Sequence, residues 1–219
     1  MPEEITGLQI FDKVQPTQRR YCWTPYIPMR CVTLLQGDPQ TAKSTVIRAV
    51  AAALSNGLSL PPNDEKHTPM RVMLQNAEDD FTSAIVPHLN ALGANMKNCA
   101  RINEDNAPLF FYDERIEAYI AQFKPQLVIF DTLQRYAGGK INLNDLTVVT
   151  ALFDYLTNIA KKYDCAVVVV SHLNKQDTKW LYSEFTAARS IISSEYVRFG
   201  FDKIFNFSMA SSLSDCISL

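Results

Sequence analysis

Several features that would announce a function class are scarce or missing. Five cysteines, Cys22, Cys31, Cys99, Cys165 and Cys216, lie far apart along 219 residues. None forms a Cys-x-x-Cys pair or a His/Cys cluster, which argues against a zinc module and a disulfide framework. Free thiols suit a reducing compartment, so a cytoplasmic protein is expected. The net charge is only −2, so no overall positive field draws nucleic acid, and any such contact must be local. No apolar run approaches the roughly 18 residues of a membrane-spanning helix, so no membrane partner is expected. Met1-Pro2-Glu3-Glu4 is acidic and lacks an apolar core, which is not a signal peptide. Neither an internal repeat nor a heptad series is visible.

What is present is an apolar content of 47%, enough for the core of one sizeable domain. Residues 1–30 read as an irregular lead-in, with Pro16, Pro25, Pro28 and the aromatics Tyr21, Trp23 and Tyr26. From residue 31 short apolar runs alternate with helical patterns. Strands are predicted over 31–36, 71–75, 127–131 and 166–171, and helices over 44–55, 80–93, 113–123 and 145–163. Leu127-Val128-Ile129-Phe130 and Ala166-Val167-Val168-Val169-Val170 are continuously apolar, as in parallel strands buried on both faces. The fold class is therefore α/β, a mainly parallel twisted sheet flanked by helices, over 31–207. The segment 59–69 is a proline-rich loop, and 208–219 reads as an unstructured tail.

The most informative stretch is Gly37-Asp38-Pro39-Gln40-Thr41-Ala42-Lys43-Ser44-Thr45. It joins the first predicted strand to an Ala-rich helix. Strand, tight loop and a helix opening on Lys-Ser is the setting of a phosphate-binding loop. Backbone N–H groups wrap a polyphosphate there, and the helix N-terminus adds a favourable dipole. Lys43 would reach the β- and γ-phosphates of ATP, and Ser44 would offer its hydroxyl to Mg²⁺. Ala42 departs from the pattern, which asks for Gly. A left-handed backbone at Ala costs roughly 1–2 kcal/mol.

Asp131 ends an apolar strand, on the side of a parallel sheet where ligands bind. There it would hold the water shell of Mg²⁺ beside Ser44; the plainer alternative is a turn cap. Thr132 follows it, where many ATPases place a water-activating Glu, so the base must come from elsewhere. Glu78, after the second strand, is the candidate. The alternative is that Glu78, Asp79 and Asp80 are first-turn acids favoured by the helix dipole. His172 follows the fourth strand, where it would sense the γ-phosphate or merely satisfy a strand-end carbonyl. His67 and His88 read as surface residues.

These stretches, with Val128 to Gln134, Ser171 to Lys175 and Ala187-Ala188-Arg189-Ser190, resemble the RecA-like P-loop ATPases of the AAA_25 type. That group includes the RepA hexameric replicative helicases of plasmids, and similar sequences are common in phages and mobile elements. The order and spacing fit over roughly residues 20–200. The resemblance implies a RecA-like fold, hydrolysis of Mg²⁺-ATP, assembly into a homo-oligomeric ring such as a hexamer, and work on DNA. It also implies that Glu78 prepares the water, His172 senses the γ-phosphate, and Arg189 is an arginine finger reaching a neighbour's ATP. Ala42, and Gln40 where relatives carry another Gly, bear on turnover more than on binding.

Rings of this kind are expected to thread single-stranded DNA past loops near 135–145 and 175–184. Arg135, Lys140, Lys175 and Lys179 lie there beside Tyr136, Trp180 and Tyr182, cations next to stacking surfaces. The plainer alternative is solvated loops. Two function classes stay open: a DNA-dependent ATPase motor, and an ATP-binding regulator with little turnover.

Overall fold

The computed structural model describes residues 11, 14–37, 41–64, 66–172 and the backbone of 197–200. A short antiparallel hairpin, β1 (Tyr21–Trp23) and β2 (Ile27–Pro28), comes first. Then follow β3 (Val32–Gly37), α1 (Lys43–Ser55), β4 (Val72–Asn76), α2 (Val86–Ala91), β5 (Cys99–Ala100), α3 (Glu114–Phe123), β6 (Leu127–Asp131), α4 (Leu133–Ala137), α5 (Leu146–Lys162), β7 (Ala166–His172) and β8 (Val197–Gly200).

Six strands form one sheet in the order β5-β4-β6-β7-β3-β8, and every pairing is parallel. The continuously apolar strands sit in its middle, where both faces are covered. Alternate residues feed two cores. Val128, Phe130, Val167 and Val169 pack against Ile116, Leu152, Phe153 and Leu156 from α3 and α5. Leu127, Ile129, Val168 and Val170 pack against Ile47, Val50, Ala51 and Leu54 of α1, with Trp23 and Ile27 of the hairpin. The sheet is thus doubly wound, the α/β architecture expected.

The hairpin closes the N-terminal edge of the sheet. Cys22 is fully buried and directs its thiol at the Gln126 carbonyl. Trp23 Nε1 donates to the Pro61 carbonyl at 2.6 Å, and the Arg30 N–H to that of Cys165 at 2.8 Å.

Three helices begin on side-chain caps. Asp113 accepts from the Arg115 N–H, Asp145 from those of Thr147 and Val148, and Asp80 from that of Ser83. Such caps satisfy N–H groups that a helix start leaves open. The helix predicted over 80–93 is divided: Phe81–Ile85 forms a π-helical turn, and α2 continues from Val86.

The segment 135–145 is not a free loop. Its first residues end α4, and Gly138–Lys140 form a 3-10 turn. Tyr136 is fully buried and its hydroxyl donates to Glu104 Oε1 at 2.8 Å, so it presents no face for a base to stack on. Gly138 sits at φ 58°, and a Cβ there would meet the Phe110 ring at 2.7 Å. This glycine makes room for an aromatic ring.

Candidate nucleotide and metal site

β3, β4, β6 and β7 end together. Gly37 is level with His172, and Asn76 with Asp131. β7 stands between the other two central strands, so its end faces both the loop after β3 and the carboxylate of β6. Gly37, Asp131 and His172 therefore share one edge, with Glu78 two residues past β4.

Within the loop, Lys43 is 3% exposed, and its ammonium donates to the Gly37 carbonyl at 2.9 Å and the Thr41 hydroxyl at 3.3 Å. A Cβ at position 37 would lie 3.3 Å from Thr41 Oγ1 and 3.5 Å from Lys43 Cδ, so glycine keeps this cradle open. Ala42 caps α1 at φ 56° and ψ 20°, the left-handed conformation. Asp38, Pro39 and Gln40 lie outside the described residues.

Asp131 is wholly buried, and burial pushes its carboxyl above the usual carboxylate range. Ser44, Asn76 and the Arg48 charge oppose that shift. Asn76 donates to Oδ2 at 2.9 Å, whereas among the described residues Oδ1 meets no partner with hydrogen-bond geometry. A buried carboxylate with one oxygen outside hydrogen-bond geometry, against the Ser44 hydroxyl in the first turn of α1, fits a water-clad divalent cation. No group of three or more His, Cys, Asp or Glu side chains arranged to hold a metal occurs among the described residues. Mg²⁺ is commonly held by one or two carboxylates together with the substrate's phosphates.

Glu78 is clasped from two strands. The Thr132 hydroxyl donates to Oε1 at 3.1 Å, and His172 Nε2 lies 3.6 Å from Oε2. Thr132, passed over as a base, therefore orients the one expected from β4. His172 is held in turn by Gln134, whose Nε2 donates to the His172 carbonyl at 2.9 Å. The first-turn role belongs to Asp80, whose three bonds from Ser83 and Thr82 lower its pKa to about 2.

Three residues enter the site that pattern reading did not assign. Asn76 resembles an ordinary turn residue. Gln134 stood only within a quoted motif. Arg48 carried a signal, as the one charge in α1 after Lys43. It is 6% exposed, ion-paired with Asp79 and 3.4 Å from His88 Nδ1. His88 is accordingly no bystander: burial and the Arg48 charge lower its pKa.

Arg135 is exposed and borders a cleft of about 470 Å³. Arg101 shares that cleft, but so do Asp79, Asp80, Glu104 and Asp105. A phosphate near Arg135 would therefore also face acids. Lys140 lies in the 3-10 turn; Lys175, Lys179 and Arg189 lie outside the described residues. No helix among the described residues is long and apolar enough to cross a membrane.

The AAA domain family AAA_25 matches residues 3–178. No curated protein matches the chain.

Proposed function

The chain belongs to the AAA domain family AAA_25, with a RecA-like P-loop fold, and on that premise we propose a Mg²⁺-dependent ATPase that acts on single-stranded DNA as a ring of identical subunits. The observation that carries this reading is the meeting of Gly37, Glu78, Asp131 and His172 at one sheet edge, ahead of a helix opening on Lys43 and Ser44. Lys43 and the amides at the start of α1 bind the β- and γ-phosphates. Ser44 and Asp131 hold Mg²⁺, which when bound neutralises charge on those phosphates.

Glu78 takes a proton from the attacking water as the water oxygen bonds to the γ-phosphorus and the β–γ bridging oxygen leaves. Thr132 fixes that carboxylate, and His172 beside it reports the loss of the γ-phosphate to the segment after β7. Lys175 and Lys179 in that segment meet the strand's phosphates, with Arg135 and Lys140 beyond. Arg189 completes a neighbour's site, as arginine fingers do. The motor is then a replicative helicase or a close relative in mechanism.

Nucleotide titration and steady-state hydrolysis, with and without single-stranded DNA, test this. Lys43→Ala should lose ATP binding while keeping its circular dichroism, and DNA should raise the parent's rate. Unchanged ATP affinity in Lys43→Ala overturns the phosphate loop. A rate indifferent to DNA favours the second reading, an ATP-binding regulator, which the strained Ala42 supports.

A further inference from the structure

We propose that Asn76 is a positioning residue that couples the Asp131 carboxylate to the placement of Glu78; the inference rests on the ATPase reading above. One arm of its amide meets the carboxylate assigned to the metal: Nδ2 donates to Asp131 Oδ2 at 2.9 Å. The other arm closes the turn that carries the base. Oδ1 accepts from the Glu78 N–H at 3.0 Å and from the Asp79 N–H at 2.9 Å.

Only one orientation of the amide works. Reversed, it would set a carbonyl against a carboxylate and an NH₂ against two N–H donors. The strands add their own constraint, because Asn76 and Asp131 are partners in the parallel ladder. The far end of the turn is also tied to the phosphate side, since Asp79 pairs with Arg48 of α1. A shift of Asp131 is therefore passed by a planar, three-bonded amide to the backbone of Glu78. Among the described residues, the Thr132 hydroxyl and the 3.6 Å approach of His172 hold the Glu78 side chain. Its backbone anchor decides where the carboxylate stands.

Asparagine places a donor and an acceptor on opposite arms of one planar group, which serves both tasks. Ala loses both sets of bonds. Asp keeps the acceptor for the two N–H groups but loses the donor to Asp131, so Asn76→Asp separates the turn from the coupling.

Amide hydrogen exchange at Glu78 and Asp79 tests the coupling without any hydrolysis. Asn76→Ala should speed that exchange about 10-fold, the worth of a lost hydrogen bond. Asn76→Asp, which keeps the acceptor but loses the bond to Asp131, should speed it less, to the rate that Asp131→Ala gives the parent. Asp131→Ala should speed it in the parent and add nothing in either Asn76 variant, a non-additive cycle. In parallel, single-turnover hydrolysis should fall between about 10- and 100-fold in both Asn76 variants, as for other residues that orient a metal ligand or a reacting group. ATP affinity should stay within a factor of about 2, well inside that loss. Parent-like hydrolysis in Asn76→Asp, or exchange at Glu78 and Asp79 that ignores Asp131→Ala, overturns the inference. A parent that never hydrolyses ATP overturns the ATPase reading instead, and the exchange cycle still decides the coupling.

Discussion

Ala42 holds its backbone at φ 56° immediately before the lysine that closes the loop. A Cβ in this conformation crowds the following carbonyl, at a cost of roughly 1–2 kcal/mol that glycine escapes. Part of that gain is offset by glycine's larger unfolded-state entropy, about 0.5–1 kcal/mol. Ala42→Gly should therefore stabilise the protein by up to about 1 kcal/mol, or roughly 2–4 °C in Tm for a chain of this size. Urea denaturation measures it, and a loss of stability would mean the left-handed cap is not strained. The loop's departure from pattern was visible in the sequence, and so was the backbone it would impose. The partnership of Thr132 and Glu78 was not visible. The two residues are 54 positions apart, and only the pairing of β4 with β6 brings them within 3.1 Å. Spacing along a chain cannot register a contact made through sheet order.

At the scale of elements, short apolar runs located the four central strands to within a residue or two, and β6 and β7 were continuously apolar because both of their faces are buried. The helices predicted over 113–123 and 145–163 begin where Asp113 and Asp145 cap α3 and α5. The short pieces escaped. β5 has two residues and α4 five, too few for a period to show. The segment 135–145 was expected as a loop, yet Gly138 holds φ 58° and ψ −170° against the Phe110 ring. Few residues other than glycine adopt that backbone, and others pay about 1–3 kcal/mol there. Gly138→Ala adds a methyl 2.7 Å from ring carbons, so the cost should reach at least about 2 kcal/mol. Thermal unfolding of the variant checks this; a Tm equal to the parent's would show that α4 can shift away from Phe110.

Across the whole molecule, function and stability pull against each other at Asp131. Its folded-state pKa lies above the ordinary value of 3.8 because burial penalises the charge. The folded form therefore binds its proton more tightly than the unfolded chain does. Stability from this group is complete below pH 3.8 and is lost as pH rises through the higher folded value. Above the folded value the ligand-free protein carries that burden in full. Asp131→Asn should remove it, raising Tm at pH 7 while abolishing the Mg²⁺ dependence of nucleotide binding. The gain should shrink as pH falls toward the ordinary value of 3.8, because the parent's carboxyl takes up its proton first in the folded form. A variant less stable than the parent at pH 7 would show that Ser44, Asn76 and Arg48 compensate the buried charge.

The parallel sheet also separates the molecule into two electrical neighbourhoods. β7, with seven residues from Ala166 to His172, spans about 20 Å from the hairpin edge to the nucleotide edge. That distance is more than twice the Debye length of about 8 Å at physiological salt. Arg20 and Asp164 form their pair at the hairpin edge, both more than half exposed. Charges added or reversed there are screened before they reach Lys43 or Asp131. A dye, an affinity handle or a surface linkage attached beside the hairpin would leave the phosphate field unaltered and the ligand's approach unobstructed.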